Sequence, residues 1–194
     1  MRKSLAVFGE GPTEWFYLDA LRIAGRFPFK MHPSLPQHSD VNHILLQAKK
    51  CLNEGYDEVV CLMDMDRLRA FPKEMQRYEE AKRQKAYSRV TFIETDPCTE
   101  YWFLLHFVDA CPGRQYDSYE ELEAELRKYI PEYSKTEQYL RKNQLLTILS
   151  QKGSLENAIS RARLSVQRHK DGEPGAYTQM FKLFDKLKEF SKEK

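Results

Sequence analysis

The sequence predicts an α/β fold: a mostly parallel sheet of about four strands flanked by helices, followed by an α-helical C-terminal part. Three observations carry this. Short apolar runs near residues 5–8, 58–63 and 89–94 alternate with stretches of helical spacing. The run Glu58-Val59-Val60-Cys61-Leu62-Met63 is β-branched and almost continuously apolar, as befits a central strand covered on both faces. Beyond Pro112-Gly113 every signal is helical. Alternation of strand and helix implies right-handed crossovers and therefore parallel neighbours.

Taken in order, Leu5-Ala6-Val7-Phe8 forms the first strand, and Gly9-Glu10-Gly11-Pro12-Thr13 turns it into a helix over about 13–24. Phe27-Pro28-Phe29-Lys30-Met31 reads as a weaker strand, with Pro28 placing it at an edge. A second helix carries Val41, Ile44, Leu45, Ala48 and Leu52 behind a cap at Ser39 or Asp40. The central strand ends at Asp64-Met65-Asp66, an Arg-rich helix spans about 70–86, and Arg89 to Glu94 forms a fourth strand. Asp96 as N-cap with Pro97 at the first helical position then opens a buried aromatic helix from Cys98 to Phe107. Ser118-x-x-Glu121 is a capping box, and three amphipathic stretches follow near 135–150, 154–169 and 177–190. The organisation expected is an α/β core over 1–115 and a helical extension over 116–194 packed on it.

Composition narrows the function. A chain of 194 residues that is 41% hydrophobic can bury a core, and its net charge of +2 with 31% charged residues is unlike that of a disordered chain. No apolar run approaches a membrane span, and the Leu5–Phe8 run is too short for a secretory signal, so a soluble, cytoplasmic protein is expected. Cys51, Cys61, Cys98 and Cys111 form no Cys-x-x-Cys pair and read as reduced, buried thiols. The histidines (His32, His38, His43, His106, His169) show no zinc spacing. Neither a Walker loop, a complete dinucleotide fingerprint nor a Gly-x-Ser-x-Gly elbow is present, which argues against ATPases, Rossmann dehydrogenases and serine hydrolases. Charge is uneven: residues 1–133 hold 18 Lys and Arg against 22 Asp and Glu, whereas residues 134–194 hold 13 against 7. A second basic stretch runs from Arg67 to Arg89. Solvated helix faces explain both as readily as a phosphate-binding surface does.

Acidic residues fall at strand ends: Glu10 with Glu14, Asp64 with Asp66, and Glu94 or Asp96 with Glu100 one turn into the next helix. Parallel strands bring their C-termini to one edge, where open α/β folds bind ligands. Clustered carboxylates strain one another unless a cation neutralises them, and oxygen ligands without imidazole or thiolate select Mg²⁺ or Mn²⁺. If the chain stays extended through Asp64-Met65-Asp66, both aspartates project from the same side and can share one metal. The helix beginning near Thr13 aims its N-terminal N–H groups at the same rim, which suits phosphate.

At these residues the sequence resembles the Toprim superfamily, whose pattern is a glutamate after the first strand and an Asp-x-Asp after a later one, here Glu10 and Asp64-Met65-Asp66. More narrowly, Glu10-Gly11-Pro12-Thr13-Glu14-Trp15-Phe16-Tyr17 and the block from Asp96 to Phe107 resemble RloB-like proteins, Toprim-type proteins found near restriction or abortive-infection loci. The resemblance implies a Rossmannoid core and a metal-dependent nuclease used in anti-phage or restriction-linked defence, as in the related overcoming-lysogenization-defect nucleases. It implies Glu10, Asp64 and Asp66 as catalytic residues, and Glu10, Glu14, Asp64, Asp66 and Glu100 as ligands to one or two Mg²⁺ or Mn²⁺ ions. Thr95-Asp96 stands where Ser-Asn is more usual in that family, and Met65 where Arg is common.

Phosphodiester hydrolysis needs an activated water, a neutralised phosphate and a stabilised leaving oxygen, all of which divalent ions supply. Glu10 is either a ligand or the group that shuttles a proton; spacing leaves both open. Arg67, Arg69, Arg77, Arg161, Arg163 and Arg168 are the candidates to grip a phosphate backbone, of DNA or RNA alike. His106 and Trp102 lie in the apolar helix and read as core residues rather than as a base or a stacking platform. Two rivals stand beside the nuclease: a nucleotidyl-transfer enzyme on the same rim, and a non-catalytic module that binds nucleic acid or a partner such as an ATPase or restriction-system protein.

Overall fold

The computed structural model describes residues 3–27, 29–31, 40–142 and 144–192; the expected roles of Pro28 and Ser39, and of His32 and His38, lie outside them. The fold is the expected α/β class, with five strands. They are β1 (Leu5–Phe8), β2 (Phe29–Met31), β3 (Glu58–Asp64), β4 (Val90–Asp96) and β5 (Tyr177–Thr178), in sheet order β2-β1-β3-β4-β5. The pairs β1–β2, β1–β3 and β3–β4 are parallel, so their C-terminal ends share one edge. β2 takes the edge position expected of it. β5 pairs antiparallel with β4 through Thr95↔Thr178 and Asp96↔Tyr177, and these residues were expected to open a helix. A two-residue strand is too short to register as an alternating pattern.

Side-chain alternation divides the core between the two faces of the sheet. Leu5, Val7, Val60, Leu62 and Ile93 point to one side, against α1 (Pro12–Ala24), α5 (Glu100–Leu104), α6 (Tyr119–Arg127) and the helices that follow. Ala6, Phe8, Val59, Cys61 and Met63 point to the other, against α2 (Val41–Asn53), α3 (Met65–Ala70) and α4 (Pro72–Arg83). The first of these clusters takes in residues from Leu5 to Phe190, so the C-terminal helices share their core with the sheet. They are α7 (Glu137–Arg141), α8 (Gln144–Gln151), α9 (Leu155–Lys170) and α10 (Phe181–Lys192). Among the described residues no helix is long and apolar enough to cross a membrane.

Trp102, Phe103 and Leu105 are fully buried, as their spacing predicts, and Trp102 Nε1 donates to the Tyr17 hydroxyl at 2.9 Å. His106 is a core histidine whose Nδ1 lies 3.0 Å from the Trp102 carbonyl; burial holds it near about 4, so it is neutral. All four cysteines are free and buried.

Three local expectations are corrected. The chain does not stay extended through Asp64-Met65-Asp66: Asp64 closes β3 and α3 begins at the next residue, so the aspartates do not share a pleated face. The single basic helix over 70–86 is two helices, α3 and α4, broken at Phe71 because Pro72 opens a new helix and has no N–H to continue the old one. Asp96 is not a helix cap. It is the last residue of β4, gripped by Arg69 through two bonds of 2.6 and 2.7 Å, and the helix begins later, at Glu100 behind Thr99.

Candidate functional site

Glycine and proline shape the first part of the rim. A side chain at Gly9 would lie 2.1 Å from Glu14 Cβ, so only glycine lets the first turn of α1 fold back onto the end of β1. Pro12 supplies a preset φ at the start of α1, and Glu14 reaches back to accept the Gly11 N–H at 2.8 Å. Glu14 is therefore a helix-capping residue as well as a buried acid.

Around it the strand ends deliver the other acids. Glu10 Oε1 accepts the backbone N–H of Asp64 at 3.2 Å, which ties the end of β1 to the end of β3. Asp64 Oδ1 accepts both the N–H and the hydroxyl of Thr99, at 3.0 and 3.1 Å, which ties β3 to the entry of α5. Glu100, the first residue of α5, is completely buried. Its Oε1 accepts the Tyr133 hydroxyl at 2.6 Å, and its Oε2 lies 3.2 Å from Lys135 Nζ without an aligned hydrogen bond. Tyr133 and Lys135 come from the connection between α6 and α7, so the helical part of the chain completes the rim.

Electrostatics shows that these groups sense one another. Burial, then the charge of Glu14, pushes Glu10 well above the usual carboxylate range, while the Asp64 N–H and Arg67 pull it back. Burial, then Glu100, raises Glu14. Burial, then Glu14, Glu10 and Glu100, raises Asp64 well above its ordinary value. Asp66 is raised chiefly by burial, and its Oδ1 is occupied by the Arg67 N–H. Burial opposes the charge of Lys135, but Glu100, together with Cys98, Asp64 and Glu14, outweighs it and raises the ammonium above the ordinary lysine value. Glu10, Glu14, Asp64 and Glu100 thus form one electrostatic group with an internal cation beside it.

Not every acid joins. Glu94 faces the helices instead, bonded to Tyr78, Lys82, Tyr177 and Gln179, and Asp96 is held by Arg69. The candidate phosphate-binding arginines are mostly engaged within the chain. Arg67 meets Glu74 at 3.4 Å, Arg161 donates to the carbonyls of Leu105 and Asp109, Arg163 pairs with Asp185, and Arg168 reaches the Cys111 carbonyl. Arg77 is exposed on α4.

The donor set suits a hard divalent cation: all oxygen, mostly carboxylate, and under mutual repulsion that such an ion relieves. Among the described residues no three acid, imidazole or thiol groups already stand as a coordination set. Sequence reasoning missed Thr99, Tyr133 and Lys135. Thr99 lies inside the Asp96–Phe107 block and was legible as a neighbour of Glu100; Tyr133 and Lys135 follow Pro131 in a connection with no periodicity, and only the tertiary fold brings them in.

A family model described as RloB-like protein matches residues 5–187, nearly the whole chain. No curated protein and no solved structure matches.

Proposed function

The chain belongs to the RloB-like protein family, and on that premise we propose that it is a metal-dependent phosphodiester nuclease acting on DNA or RNA, with a role in anti-phage or restriction-linked defence. The observation that carries this reading is the group Glu10, Glu14, Asp64 and Glu100, brought from three separate segments to one sheet edge, where burial and mutual charge raise Glu10, Glu14 and Asp64. Buried like charges are costly, and acids with perturbed values in one cluster are a recurrent mark of catalytic sites.

In this proposal Asp64 and Asp66, the latter from the first turn of α3, would hold one Mg²⁺ or Mn²⁺, with Glu10 either a further ligand or the proton carrier, and Glu14 and Glu100 would hold or orient a second. When bound, such ions neutralise the phosphate and acidify a coordinated water. The chain's own residues supply the rest. Water adds to phosphorus and gives up a proton, one P–O bond breaks, and the leaving oxygen takes a proton. Where Glu10 is not a ligand, its burial suits it to carry a proton between these two oxygens rather than to remain permanently ionised. Thr99 fixes the orientation of the Asp64 carboxylate through its two bonds. Lys135 places a positive charge beside the acids, where it attracts the substrate phosphate, and Tyr133 fixes the Glu100 carboxylate.

Cleavage of labelled DNA and RNA with Mn²⁺ or Mg²⁺ is the test. Wild type should cut at least one of them, and Asp64→Asn, which keeps the acceptor for Thr99, should lose about a hundredfold or more in rate without loss of thermal stability. A second reading rests on Lys135: an internal ammonium that already offsets the acids favours a non-catalytic binding module. Metal-independent binding of nucleic acid with no cleavage of either substrate would support that alternative.

A further inference from the structure

Phe71 sits at the break between α3 and α4 and is 50% exposed, although an aromatic side chain at a helix corner ordinarily finds cover. It lies four residues after Arg67, whose guanidinium carbon stands 5.3 Å from the ring centroid. Arg67 itself is poorly satisfied. Its pairing with Glu74 is long, at 3.4 Å, and its Nε is buried without a hydrogen bond. The same residue bonds the Asp66 carboxylate through its backbone N–H, and its charge acts on Glu10. An exposed ring with a cation against it therefore stands at the end of the short helix that begins at the acidic rim. Lys73 and Arg77 are both exposed on the first two turns of α4.

We infer that Arg67 and Phe71 form a subsite for one unstacked nucleotide next to the scissile phosphate, with the base on the Phe71 ring and Arg67 on the flanking phosphate, so that the substrate is single-stranded or locally opened nucleic acid. The inference deepens the nuclease reading and rests on it. Three physical points support the choice of occupant. An aromatic face binds any base without regard to sequence, but only one released from its stack. An arginine that is already against the ring can contact base and phosphate together, which a lysine cannot do as well. In a continuous duplex the bases are turned inward, and the ring would meet only sugar and phosphate.

The test separates the subsite from the chemistry. Binding is measured in EDTA by fluorescence anisotropy, with labelled 12-mers of single-stranded DNA, single-stranded RNA and a hairpin duplex. Wild type should hold one or both single strands more tightly than the duplex. Phe71→Ala should weaken single-strand binding by about fivefold to a hundredfold and leave duplex binding unchanged, while Phe71→Trp should retain it. Thermal unfolding of both variants should match wild type, since the ring is half exposed. Equal binding of single strands by wild type and Phe71→Ala, or a wild-type preference for the duplex, would overturn the subsite. Cleavage of the same 12-mers with Mn²⁺ by wild type and by Asp64→Asn reads the nuclease proposal separately. A wild-type rate indistinguishable from that of Asp64→Asn would defeat the hydrolytic reading, while the binding comparison in EDTA still decides the subsite.

Discussion

Glu14 holds two roles with opposite requirements. As a helix-capping residue it must accept the Gly11 N–H, which favours an ionised carboxylate; as a buried neighbour of Glu100 and Asp64 it is pushed toward its protonated form. The second effect wins, and the sign for stability follows. Glu10, Glu14 and Asp64 have folded values above their ordinary ones, so their contribution to stability is present at acid pH and is lost as pH rises through those raised values. The metal-free protein should therefore be less stable through these groups at pH 8 than at pH 5. Glu14→Gln keeps an acceptor for Gly11 and removes one charge. It should raise stability at pH 8 in EDTA by about 1 kcal/mol, flatten the pH slope and impair activity. Thermal unfolding at the two pH values, with a cleavage assay alongside, checks all three. The acids were legible in the sequence because they lie at strand ends or in the first turn of the helix that follows, and strand ends of a parallel sheet converge. Lys135 was not, since a lone lysine in a loop has no spacing to give it away.

At the level of elements, the Arg69–Asp96 pair joins the end of α3 to the last residue of β4 and so fixes the corner from which Asp66 and Thr99 are presented. Asp-Pro ahead of an apolar helical pattern is a sound local signature of a helix start. It failed here because the Asp96 carboxylate has a stronger partner, a guanidinium making two parallel bonds, which lies 27 positions away in the chain and outside any local window. The break at Phe71 was legible from Pro72, but the Arg-rich composition of the segment masked it. Arg69→Lys should destabilise the protein by about 1–3 kcal/mol by urea unfolding, because a lysine keeps the charge and not the paired geometry. Recovery of full stability by lysine would show that charge alone holds the corner.

At the level of the molecule, the sequence divides cleanly into an alternating α/β part and a helical part, and that pattern made the fold class readable. What it hid is how closely the two are joined. Leu122, Leu126, Tyr133, Leu149, Leu183 and Leu187 belong to the same core as Leu5, Val60 and Trp102, and Tyr133 and Lys135 complete the surroundings of Glu100. Which helices close on which face of a sheet is a tertiary outcome that periodicity does not encode. A chain ending at residue 115 should therefore fail to unfold cooperatively, since it leaves the apolar side of the sheet uncovered and Glu100 buried without its partners or exposed. Circular dichroism in urea would show a broad, probe-dependent loss of signal; a sharp single transition would mean that the first 115 residues are sufficient.

The acidic rim is the feature on which function turns, and titration calorimetry of the full chain with Mn²⁺ addresses it most directly. Wild type should give a saturable heat of association that Asp64→Asn abolishes while retaining its far-ultraviolet spectrum and cooperative unfolding. The absence of any heat with both Mn²⁺ and Mg²⁺, or an equal heat in folded Asp64→Asn, would contradict a metal site built on these acids.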